Sequence, residues 1–142
     1  MNTTASTSGS VTLDGGDGDD TISATGGAAF SILGGAGADD VTAAGGGFIQ
    51  GNAGADSFTL SGAASVATIL GGADADTIDA TTSDGDNLLL GNAGDDSIQA
   101  NDGDNQVFGE DGVDTIIVGD GDNSVSGGAG NDVITAGAGA NE

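Results

Sequence analysis

Seven aspartates recur at intervals of 17 to 20 residues: Asp20, Asp39, Asp56, Asp76, Asp96, Asp114 and Asp132. Each lies in a glycine-rich stretch such as GGAGADDVT at residues 34–42. Carboxylates in a regular array serve either acid–base chemistry or the binding of hard cations. Catalysis is not expected: the chain has no Lys, Arg, His, Cys or Tyr to work beside a carboxylate. Glycosidases do manage with carboxylate pairs, yet every aspartate here has a simpler place in a turn. Oxygen donors alone, carboxylate plus backbone carbonyl, select calcium over softer metals. The array also calls for a cation. Carboxylates stacked ~5 Å apart would repel by about 3 kcal/mol per neighbouring pair at an effective dielectric near 20.

The elements that hold these aspartates are legible in the repeat. With Gly34 as position 1 and Thr42 as position 9, position 6 is Asp in all seven copies, which begin at Gly15, Gly34, Gly51, Gly71, Gly91, Gly109 and Gly127. Position 8 is always apolar: Ile22, Val41, Phe58, Ile78, Ile98, Ile116 and Ile134. Glycines at positions 1, 2 and 4 suit a tight turn with positive φ. The Thr/Ile/Val-rich positions 7 to 9 suit a short strand with position 8 inward. Linking half-repeats lie between the copies, and residues 82–135 form six unbroken nonapeptides. Their inward residues are Leu13, Ile32, Ile49, Ile69, Leu89, Val107 and Val125. Two nonapeptides make a coil of about 18 residues, so the pattern predicts an all-β solenoid with two parallel sheets. A helix is excluded, because glycine recurs too often and the apolar spacing is nine.

The pattern GGxGxDxUx, with U apolar, resembles the nonapeptide of the RTX (repeats-in-toxin) calcium-binding β-roll, over nearly the whole chain. The resemblance implies a right-handed parallel β-roll with calcium between neighbouring turns on one side. The position-6 aspartates Asp20, Asp39, Asp56, Asp76, Asp96, Asp114 and Asp132 would be the carboxylate ligands, with turn carbonyls supplying the rest. Seven turns would sandwich about six Ca2+ ions. The departures are Asn52, Asn92 and Glu110 at position 2 and Asp74 at position 4, which question local turn geometry. On the other side position 6 is Asn87, Asn105 and Asn123, preceded by Val11, Phe30 and Ala67. A hydrogen-bonded asparagine ladder is expected there. The alternative is up to two further ions, with help from Asp84, Asp102 and Asp120.

Length and composition give a single domain of 142 residues: an irregular coil at 1–14, repeats at 15–135 and a C-terminal end at 136–142. A formal charge of −23 with no basic residue repels nucleic acid and anionic membranes. Hydrophobic residues make up 36% of the chain, at fixed repeat positions, which argues against an acidic disordered tail. The first residues lack a secretory signal pattern, while the resemblance implies export to the cell surface or beyond without one. Three functions are open. One is an extracellular structural protein, such as a surface-layer, fibre or adhesin building block. Another is the folding and secretion module of a larger RTX enzyme or toxin. The third is an ice-binding roll, disfavoured because turn positions 3 and 5 are mostly Ala or Asp rather than a Thr/Asn rank. Leu33, Phe48, Leu70, Leu88, Leu90 and Phe108 are expected to face outward as an apolar stripe. Self-association, end to end or laterally through that stripe, is expected.

Overall fold

The computed structural model describes residues 2–5, 9–26, 29–62 and 66–142, all in strands and turns with no helix among them. The first sheet holds β1 (Asn2–Ala5), β3 (Thr21–Ala24), β5 (Asp40–Ala44), β7 (Ser57–Ser61), β9 (Thr77–Thr82), β11 (Ser97–Ala100), β13 (Thr115–Val118) and β15 (Val133–Ala136), in that order. The second holds β2 (Val11–Asp17), β4 (Phe30–Ala36), β6 (Gly47–Ala53), β8 (Ala67–Ala73), β10 (Leu88–Ala93), β12 (Gln106–Asp111) and β14 (Ser124–Ala129). Every pairing is parallel, so the chain is a β-solenoid whose coils alternate between the sheets. The segment 1–14, expected to be irregular, contains β1 and the start of β2, paired in register with β3 and β4.

Register follows the apolar positions. Ile22, Val41, Phe58, Ile78, Ile98, Ile116 and Ile134 form one column across the first sheet. Leu13, Ile32, Ile49, Ile69, Leu89, Val107 and Val125 form its counterpart across the second. These two columns meet in the core and are buried, apart from Val125, which is partly buried, and Ile134, which is 45% exposed. Ile134 was expected to face inward. It lies on the edge strand β15, where no later coil of this chain covers it.

Position 8 does not carry the core alone, contrary to the sequence reading. Ala24, Ala43, Leu60, Ala80, Ala100 and Val118, two residues further along, are also buried. The strands of the first sheet run long enough to turn a second residue inward, since alternate residues share a face. Four of these six second positions are Ala.

The four departures from the repeat keep its geometry. Asn52, Asp74, Asn92 and Glu110 all adopt positive φ, at 84°, 75°, 80° and 79°, the conformation that glycine supplies in the other turns. Asn and Asp tolerate this region better than Glu, and a left-handed L-residue costs roughly 1–2 kcal/mol. Glu110→Gly is therefore expected to stabilise the roll by about 1 kcal/mol. Thermal unfolding at fixed calcium measures the change, and a lower midpoint for the variant would refute it.

Candidate metal centre

The turns that join the second sheet to the first stack so that the seven position-6 aspartates form a column along one edge. Asp20, Asp39, Asp56, Asp76, Asp96 and Asp114 are buried to 2% exposure or less, and Asp132 is half-buried. From Asp39 to Asp132 the carboxylate of each turn reaches back one coil. Oδ1 of Asp39 accepts the Asp20 N–H at 2.9 Å, and Oδ1 of Asp56 accepts the Asp39 N–H at 2.8 Å. Asp76, Asp96, Asp114 and Asp132 take the N–H groups of Asp56, Asp76, Asp96 and Asp114 in the same way, at 2.8–3.0 Å. The column is thus one continuous ladder.

Position-1 glycines make room for it. A Cβ on Gly91 would run into Oδ2 of Asp96, and one on Gly34 into Oδ2 of Asp39. Glycine at position 1 is needed for space, whereas positions 2 and 4 carry the positive φ values. Positive φ, expected at all three positions, is therefore confined to two of them.

The second carboxylate oxygens define the chemistry. Oδ2 of Asp39, Asp56, Asp76, Asp96 and Asp114 is buried and has no hydrogen-bond donor. An ionised carboxylate with one oxygen stranded away from water is costly unless a cation or a proton meets it. Among the described residues, no three acidic side chains gather closely enough to hold a metal by themselves. A cation here therefore needs turn carbonyls as well as carboxylates, the donor mixture that suits calcium. The residues present fit that ion. Asp39, Asp56, Asp76, Asp96 and Asp114 offer the stranded oxygens, while Asp20 and Asp132 extend the column at its two ends.

Protons are the alternative occupant. Burial raises the carboxyl of Asp76 to about 7, with Asp56, Asp96 and Asp74 adding to the rise and the Asp56 N–H opposing it. Burial likewise raises Asp56 and Asp96 to about 6, and lifts Asp39 and Asp114 above the ordinary range. A carboxyl raised in the folded state favours folding below its unfolded pKa, near 3.8, and loses that contribution as pH climbs through the folded value. The calcium-stripped chain is expected to gain β-structure progressively on acidification, beginning as pH falls through about 7 to 6 and continuing towards pH 4. Exposed carboxylates alone would place the whole gain nearer pH 4. A circular-dichroism titration distinguishes the two, and a flat response from pH 8 to 5 would contradict the ladder's influence.

The opposite edge carries different chemistry. Its column runs Val11, Phe30, Gly47 and Ala67 in register, then Asn87, Asn105, Asn123 and Asn141. Each amide oxygen accepts the N–H one coil back, at 3.0–3.2 Å. This is the expected asparagine ladder. Asn141 completes it, a residue the sequence reading missed although AGAGAN at 136–141 repeats the spacing of VGDGDN at 118–123. Asp84, Asp102 and Asp120 are exposed and point into neighbouring turns: Asp102 accepts the Asp120 N–H, Asp120 the Ala138 N–H, and Asp84 the Asn101 amide.

Stacked oxygen-lined turns on a parallel β-solenoid define a cation-binding roll. Four copies of the RTX calcium-binding nonapeptide repeat match the chain, at residues 5–29, 59–82, 81–116 and 108–142. The chain belongs to that family, and its repeats are calcium-binding repeats. No curated protein and no solved structure matches it.

Proposed function

We propose that this chain is an extracellular calcium-locked structural roll, a building block of a surface layer, fibre or adhesin. The stranded Oδ2 atoms of five successive buried aspartates carry the reading, since at neutral pH a roll built this way closes best where a cation is plentiful. Extracellular modules use calcium sites of 10⁻⁴–10⁻³ M affinity. No catalytic role is proposed, since the Asp39, Asp56, Asp76, Asp96 and Asp114 carboxylates already serve the ladder.

The apolar outer residues support lateral pairing with a second copy, over a smaller patch than expected. Leu70, Leu90 and Phe108 stand in one row across β8, β10 and β12, and Leu88 lies beside Leu90. Leu33 lies in the same row but Gln50 separates it from Leu70, and Phe48 lies in the row of Leu88 with Thr68 between them, so polar residues cut both off from the patch. All six are half-buried. Sedimentation against calcium concentration tests the assembly, with Leu88→Ser/Phe108→Ser as control. Calcium-dependent association of the wild type that the double variant loses supports the structural reading. A compact monomer at high calcium and concentration favours a folding and secretion module of a larger protein.

A further inference from the structure

The two edges of the roll place isosteric side chains in equivalent turns. At position 6 of an Asp turn, Oδ1 accepts a backbone N–H one coil back and Oδ2 has no donor. At position 6 of an Asn turn, Oδ1 accepts the corresponding N–H, but the second atom is an amide nitrogen with two hydrogens. Nδ2 of Asn105 donates to the carbonyls of Asn101 and Gly103, at 3.1 and 3.0 Å. Nδ2 of Asn123 donates to Gly119 and Gly121, at 3.3 and 3.2 Å. Asn87 donates to the Gly85 carbonyl at 2.8 Å, and Asn141 to the Gly137 carbonyl at 3.1 Å. The amides cannot be turned over: a flip would aim Oδ1 at turn carbonyls and Nδ2 at a backbone N–H.

We infer that on the Asn edge the side-chain amide takes the place of the cation, so that this protein carries calcium along one edge only and closes the other with its own amides. The inference rests on the calcium reading of the Asp edge and extends it to the second edge. Two hydrogens of a neutral amide satisfy the inward carbonyls of the turn. A carboxylate supplies no hydrogen, so its turn needs an outside positive charge. The early coils of the Asn edge agree, because Val11, Phe30, Gly47 and Ala67 offer no side-chain oxygen at all. One atom per turn, oxygen or nitrogen, thus decides whether a coil depends on metal.

Reciprocal exchanges test this. Asp96→Asn/Asp114→Asn is expected to bind fewer calcium ions at saturation, counted by equilibrium dialysis, and to hold more β-structure than wild type in chelator. Asp96→Ala/Asp114→Ala, which has no amide to donate, is expected to hold no more than wild type. Asn105→Asp/Asn123→Asp is expected to bind at least one more ion and to need a several-fold higher calcium concentration to fold. If the Asn exchange behaves like the Ala exchange in chelator, amide substitution is overturned. It is equally overturned if the Asn→Asp variant folds in calcium with the wild-type ion count. A wild type that binds no calcium would instead overturn the reading of the Asp edge, and the chelator comparison of Asn with Ala would still judge the amides.

Discussion

Stripped of calcium at neutral pH, the chain is expected to lose most of its β-structure, and millimolar calcium is expected to restore it. The cause is the column from Asp39 to Asp114, whose Oδ2 atoms are buried without donors and whose neighbours are like charges one coil away. Carboxylates spaced by one coil repel by about 3 kcal/mol per pair at an effective dielectric near 20. The core offers little reserve, since each half-coil buries only one or two apolar side chains, several of them alanine. Bound calcium reverses the sign. At 10–100 times Kd each site adds ~1.4–2.7 kcal/mol, and the roughly six sites expected from seven stacked turns would add ~8–16 kcal/mol, the size of a whole domain's stability. Magnesium is expected to substitute poorly, because it demands tight octahedral geometry that a stacked turn of carbonyls and carboxylates does not provide. Circular dichroism with each metal checks both statements, and an unchanged spectrum after exhaustive chelation would sink the first.

The second large effect belongs to the middle of the column. Asp76→Ala is expected to raise the calcium midpoint for folding more than Asp132→Ala. Asp76 accepts the Asp56 N–H and donates its own N–H to Asp96, both at 2.8 Å, and its side chain is fully buried. Its loss leaves a buried N–H without an acceptor, at about 1–3 kcal/mol. It also removes a carboxylate that two neighbouring calcium positions would share, each contributing ~1.4–2.7 kcal/mol. Together these amount to roughly 4–8 kcal/mol at saturating calcium. Asp132 also accepts an N–H, that of Asp114, but it is half-buried and borders one such position, so a smaller loss of roughly 2–6 kcal/mol is expected. Calcium titrations of both variants, followed by circular dichroism, give the comparison. Equal shifts would mean that Asp132 also has a neighbour on its outer side, as in a polymer of this chain.

Much of this architecture is present in the order of the residues. The recurrence of Asp at position 6 and of an apolar residue at position 8 determines two edges, two parallel sheets and a calcium-selective set of oxygens. It does so because a parallel solenoid turns equal spacing in sequence into equal position in space. The tertiary structure decided what spacing cannot express. It brought Leu60 and Val118 into the core by extending the strands past the motif. It cut Leu33 and Phe48 off from the Leu70–Leu90–Phe108 and Leu88 patch, since the register sets Gln50 and Thr68 between them. It showed that Asn52, Asp74, Asn92 and Glu110 accept left-handed backbone in place of glycine, because the ladders on either side hold the turn in shape. Above all, it set the second atom of each position-6 side chain in its surroundings. Asp and Asn read as near equivalents in a turn, but only the folded coil shows Oδ2 of Asp96 stranded and Nδ2 of Asn105 held between two carbonyls.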